Sequence, residues 1–182
     1  MRKATIKQPV KHISRRKDPL ARHFSWMYLA MSMAEQPVGQ GGSPHPKVKV
    51  GAVLVDAKGN EIARASNDFA AGVDRRRSER KKDNQKSLWI NCAEQLAIAR
   101  AAQRGVKLAG AKIYVSLEPC AVCAGLIAEA GIKHVFVPVN SLRRYVRLKP
   151  KWRRSIEVGQ TKLAEAGVTV TAVDCELKKG MV

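Results

Sequence analysis

Aromatic residues are scarce: the 182-residue chain has three Trp, three Tyr and three Phe. Platforms for stacking nucleobases are correspondingly few. Acidic residues are outnumbered, 15 against 34 basic ones, which leaves a formal charge of +19. So large an excess points to anionic partners, whether nucleotides, nucleic acid or acidic surfaces. No apolar run approaches the ~18 residues of a membrane span, so no membrane partner is expected. The N-terminal stretch MRKATIKQPVKHISRRKDP has no apolar segment of the kind a secretion signal needs. Cysteine is limited to Cys92, Cys120, Cys123 and Cys175. Without a secretion signal these do not read as a disulfide framework, and a cytoplasmic location is expected.

What is present bounds the answer further. An apolar fraction of 45% is enough to build a core and excludes a disordered basic tail. The length suits one domain, read here as residues 18–182 behind a basic N-terminal arm over residues 1–17. The positive charge is concentrated. Residues 1–17, 75–86 and 143–154 together hold 21 of the 34 basic residues, and the rest of the chain is neutral. Such runs are ordinarily solvated faces, or else they meet an anionic substrate.

Apolar spacing at Leu20, Phe24, Met27, Tyr28, Met31 and Ala34 predicts a helix over 20–35, opened by Asp18 and Pro19. Pro37 to Pro46 reads as a loop. Val48–Val55 and Glu61–Ser66, joined by Asp56-Ala57-Lys58-Gly59-Asn60, read as a β-hairpin, and 67–87 as a basic loop. Helices are expected over 91–104, 120–130 and 155–166, closed by Gly105, Gly131 and Gly167, with strands over 111–117, 133–137 and 168–173. Two hairpin strands followed by strand–helix alternation make an α/β fold, a three-layer α/β/α sandwich around a mixed five-stranded sheet.

The cysteines carry the chemistry. Cys92-Ala93-Glu94 opens one predicted helix and Pro119-Cys120-Ala121-Val122-Cys123 opens the next. Helix N-termini favour thiolates, and two residues between cysteines is a usual zinc chelate spacing. Three protein ligands with an open fourth position make a catalytic rather than a structural zinc site. Glu94, two residues after one ligand, is placed to shuttle protons without ligating. The alternatives are a closed Cys₄ zinc that includes Cys175 and a redox C-x-x-C; Cys175 otherwise reads as a core residue beside the last strand.

With these residues in place, the chain resembles the cytidine and deoxycytidylate deaminase superfamily, whose pattern pairs a ligand-x-Glu with P-C-x-x-C. The resemblance covers roughly Val48 to Val173 and rests on VGAVLVD (Val50–Asp56), SNDF (Ser66–Phe69), SLWINCAEQLAI (Ser87–Ile98), SLEPCAVCAGLIAEAGIKHV (Ser116–Val135) and LAEAGV (Leu163–Val168). It is similar above all to the deoxycytidylate deaminases. The resemblance implies a cytidine deaminase-like fold, Zn²⁺ held by Cys92, Cys120 and Cys123, and Glu94 as catalytic acid and base. It also implies hydrolysis at C4 of cytosine with release of ammonia, most simply dCMP to dUMP, and assembly as a homo-oligomer. The Ala93 backbone N–H would hold the base carbonyl. Asn67 matches an asparagine used near the sugar; read alone, it is a turn residue after a strand.

Three departures stand out. Cys92 replaces the His usual in deoxycytidylate deaminases, which gives the thiolate set with Zn²⁺ one formal negative charge; the Cys₃ set is that of free cytidine deaminases. Leu96 replaces an asparagine two residues after the glutamate. Ala65-Ser66-Asn67-Asp68 replaces a glycine-flanked asparagine motif tied to triphosphate regulation. Arg75, Arg76, Arg77 and Arg80, ahead of the Glu94 helix, are the expected contacts to a substrate phosphate. Competing readings are a polynucleotide-editing deaminase acting on tRNA or single-stranded DNA, a deaminase of free cytidine or another nucleobase, and a basic zinc-stabilised binding module.

Overall fold

The computed structural model of the chain describes residues 11–13, 21–82, 85–139, 141 and 148–175. In chain order the elements are β1 (Lys11–Ile13), α1 (Ala21–Glu35), β2 (Gly51–Val55), β3 (Glu61–Ser66), β4 (Asp68–Phe69), α2 (Lys86–Trp89), β5 (Ile90–Asn91), α3 (Ala93–Gln103), β6 (Lys112–Val115), α4 (Ala121–Glu129), β7 (His134–Pro138), α5 (Pro150–Glu165) and β8 (Thr169–Val173). The main sheet has the order β1-β8-β7-β6-β2-β3. Strands β6, β7, β8 and β1 run parallel, while β2 is antiparallel to both β6 and β3. The mixed sheet and its five expected strands are all there. A sixth strand, β1, comes from the segment read as a solvated arm and pairs with β8 from Lys11↔Thr171 to Ile13↔Val173.

Period-2 alternation divides the sheet into two cores. On one face Ala52, Leu54, Ile113, Val115, Val135 and Val137 pack with Ala97 and Ile98 of α3, Ile127 of α4 and Leu163 of α5. On the other face the intervening residues Val53, Val55, Tyr114 and Phe136 pack with Met27, Ala30 and Met31 of α1. This is the three-layer arrangement that alternating strands and one-sided helices dictate. Gly131 and Gly167, at φ 72° and 67°, end α4 and α5 in the left-handed conformation that glycine adopts without strain.

Two stretches differ from the expectation. The segment 67–87 contains β4, a 3₁₀ turn at Ser78–Lys81 and the start of α2. Helix α5 begins at Pro150, five residues earlier than expected, with Pro at its first turn, where the missing N–H costs nothing. The helix therefore takes in the second half of the basic run 143–154. Arg143, Arg144 and Arg147, the Asp18-Pro19 start signal and most of residues 1–17 lie outside the described residues.

Candidate active site

Helix α3 starts immediately after β5, and Cys92 is the residue at the junction, in extended conformation at φ −66°, ψ 150°. The helix therefore begins two residues later than the sequence predicts. Its start is fixed by Gln95, whose side-chain oxygen accepts the Cys92 N–H at 3.0 Å. Cys120 occupies the equivalent position before α4, with Cys123 in that helix's first turn. The two helix starts converge so that the Cys92, Cys120 and Cys123 sulfurs lie within 4.8 Å of one another. All three are free thiols. Cys175 is not in the cluster and packs on the α1 face of the sheet, so a closed Cys₄ site is set aside.

Electrostatics prepare the trio for a cation. The Cys120 thiol is held well below the ordinary cysteine range, first by hydrogen bonds from the Cys123 and Cys92 thiols and then by backbone N–H groups at the start of α4. Its two donors are pushed up in return. One thiolate shared between two thiols is a soft, compact sulfur set, and Zn–S bonds of ~2.3 Å fit three such atoms around one tetrahedral ion.

Glu94 is only 3% exposed. Desolvation pushes its carboxyl up to about 8, with a further push from the Cys120 charge. A buried carboxyl that titrates near neutral pH suits reversible proton transfer. Glu94 does not belong to the sulfur cluster, yet it shares with Cys92 and Cys120 the wall of one cavity of about 610 Å³. Ala93 is fully buried as the first residue of α3, where a backbone N–H has no intrahelical acceptor.

Asn67 also lines that cavity. Its side chain accepts the Val50 N–H at 2.8 Å and donates to the Val48 carbonyl at 3.0 Å, so it pins the 48–50 stretch of the wall. Leu96, the departure from asparagine, packs against the core.

Arg75, Arg76, Arg77 and Arg80 are not among the residues lining the cavity. Arg75 pairs with Asp68 at 3.3 Å, and Arg76 and Arg77 with Asp74 at 3.1 and 3.8 Å. The Arg80 guanidinium donates to the Asp74 carbonyl and lies 4.1 Å over the Trp89 ring. These contacts hold the four arginines against Asp68, Asp74 and Trp89. The cations on the cavity wall are instead Lys47, Lys49, Lys86, Lys149 and Lys151. They outnumber the carboxyls of Glu35, Glu94 and Glu118, and burial pushes Glu118 toward its neutral form. Lys47 and Lys49 were missed; their only signal is position, just ahead of the strand that opens the site.

Residues 24–139 match the family model described as the cytidine and deoxycytidylate deaminase zinc-binding region. The chain is 30% identical over 139 residues to a probable deoxycytidylate deaminase of Drosophila melanogaster, covering 71% of this chain and 64% of that one. It is 31% identical over 155 residues to an uncharacterized deaminase from the luxG 3′ region of Aliivibrio fischeri, covering 85% and 97%. A probable deoxycytidylate deaminase of Caenorhabditis elegans matches at 34% over 54% of this chain and 50% of that one, so the chain spans half to two thirds of the length of these two animal relatives. The crystal structure of a dCMP deaminase from cyanophage S-TIM5, in complex with dCMP and dUMP, shares the fold. Its TM-score is 0.61 at 21% identity, over 86% of this chain and 99% of that one. Among the described residues, no helix is long and apolar enough to cross a membrane. The family match alone takes in more than half of the chain, which belongs to the cytidine and deoxycytidylate deaminases with a zinc-binding region.

Proposed function

We propose that the protein is a zinc-dependent hydrolytic deaminase of cytosine nucleotides, with dCMP to dUMP as its reaction. The observation that carries this reading is the Cys92–Cys120–Cys123 cluster, two of whose members, Cys92 and Cys120, share a lysine-walled cavity with buried Glu94. The names of the relatives point the same way, as does the pair of nucleotides held by the cyanophage structure.

Cys92, Cys120 and Cys123 would hold the zinc, which when bound supplies a Lewis acid that makes water nucleophilic near neutral pH. Glu94 accepts a proton from the attacking water and delivers it to ring N3 as the water oxygen bonds to C4. It then passes the remaining hydroxyl proton to the amine, the C4–N bond breaks, ammonia leaves and the carbonyl of uracil remains. The Ala93 N–H faces the base carbonyl and fixes which edge of the ring meets Glu94. Lysines of the cavity wall meet the phosphate.

Ammonia release from dCMP, deoxycytidine and a short single-stranded oligonucleotide tests the reading. Two charge-assisted contacts of roughly 1.5–3 kcal/mol each predict a kcat/KM for dCMP at least ~100-fold above deoxycytidine. Equal turnover of the two overturns the assignment of a phosphorylated substrate. One observation favours a second reading, a polynucleotide substrate: five lysines and Trp152 line the cavity, and even with Lys49 paired to Glu35 at 3.4 Å that is more cation than one monophosphate needs. In that case the oligonucleotide is preferred over dCMP and its binding weakens steeply with salt.

A further inference from the structure

The three cysteines and Glu94 come from α3 and α4, and α5 contributes none of them. Yet one face of α5 grips the Glu118–Ala121 turn that carries Cys120. The Ser155 hydroxyl accepts the Ala121 N–H at 3.1 Å. Four residues on, Gly159 lies against the turn so closely that a Cβ there would sit 2.5 Å from the Pro119 carbonyl oxygen and 3.1 Å from the Cys120 carbonyl carbon. Gln160 donates to the Glu118 carboxylate at 3.1 Å, and Lys162 to the Ala121 carbonyl at 3.2 Å.

The contact from Ser155 answers a particular need. Cys120 is the N-cap residue of α4, where a side chain ordinarily accepts a backbone N–H of the first turn. The Cys120 sulfur faces the Val122 and Cys123 N–H groups as well as the cluster. The Ala121 N–H, at the first position of the helix, finds its acceptor on a neighbouring helix, the Ser155 hydroxyl.

We infer that α5, through Gly159, Ser155, Gln160 and Lys162, is the positioning element of the metal site: it sets the height of the Cys120 sulfur against Cys92 and Cys123. Gly159 is the key residue. Helix propensity favours alanine over glycine at such a position, so only the close approach to Pro119 and Cys120 opposes the substitution. The inference rests on reading the three cysteines as a metal set, and it is independent of which base is deaminated.

The test is metal binding by the full chain. Cobalt(II) is titrated into metal-free protein and followed by its thiolate charge-transfer and d–d bands, and zinc affinity is read by competition with a chromogenic chelator. Gly159→Ala is expected to weaken zinc ~10–100-fold, the range found for residues that orient metal ligands, and to shift the cobalt d–d bands. Thr161→Ala, which alters only an exposed contact to the Glu157 carbonyl, is expected to leave both unchanged. Should Gly159→Ala fail to fold by circular dichroism, the Ser155→Ala/Gln160→Ala double variant is measured in the same way. A folded variant with wild-type zinc affinity and cobalt bands overturns the inference alone. A wild-type chain that takes up no cobalt overturns the metal reading as well.

Discussion

Glu94→Gln is expected to remove deamination by about 10²–10⁴-fold, the usual contribution of a positioned proton carrier, while fold and zinc content stay as in the wild type. That is ~2.7–5.4 kcal/mol of transition-state stabilisation at 1.36 kcal/mol per decade. Glu94 lies at the second residue of α3 with its side chain 3% exposed. Glutamine has the same shape, so the surrounding core is not disturbed. What is lost is a titratable group, whose carboxyl burial pushes up to about 8, and with it the proton transfer proposed for Glu94. Because the carboxyl is buried at a desolvation cost, its amide has no reason to lower the thermal midpoint. The measurement is ammonia release per zinc-loaded chain, with zinc counted by elemental analysis. A variant that keeps its zinc and a tenth or more of wild-type activity removes Glu94 from the chemistry.

The sulfur cluster of the candidate site was legible in the sequence because its parts are local. Cys92-Ala93-Glu94 and Pro119-Cys120-Ala121-Val122-Cys123 each occupy one helix start, and short-range spacing carries that kind of geometry. The central strand was legible for a related reason: a strand buried on both faces, such as Gly51–Val55, reads as a continuous apolar run. What escaped was whatever depends on contacts distant in sequence. Lys47, ahead of β2, and Lys149, just before α5, line one cavity although they are far apart in sequence. The arginines of 75–80 looked like substrate contacts because they precede α3, yet Asp68, Asp74 and Trp89 engage them. Charge density in a sequence does not distinguish a guanidinium held by a neighbouring carboxylate from an ammonium facing a cavity. The first turn of α5 was lost in the basic run because a proline and dense charge there read as loop. Strand β1 has three residues, too few for periodicity to register.

Cys123→Ala is expected to abolish both zinc retention and activity. Cys123 is fully buried among α4 residues, and its sulfur is one of only three in the described cluster. The two remaining thiolates are an open chelate that has lost one of its three sulfur donors, and Cys175 lies on the opposite face of the sheet. The loss extends to stability through linkage. A metal that binds only the folded chain stabilises it by about 4 kcal/mol when free zinc is 1,000 times its Kd. At ~2–4 °C per kcal/mol for a chain of this length, the zinc-loaded wild type should melt ~8–16 °C above its chelator-treated form. Cys123→Ala should melt at the same temperature with and without chelator, because it has no bound zinc to lose. Removing one small buried sulfur also leaves a modest cavity, so its midpoint falls at or somewhat below that of the metal-free wild type. Thermal melts of both proteins, with and without chelator, separate the two effects. A Cys123→Ala protein that retains stoichiometric zinc, or a wild type whose midpoint ignores chelation, would dissociate these three cysteines from metal binding and leave the deaminase chemistry without its centre.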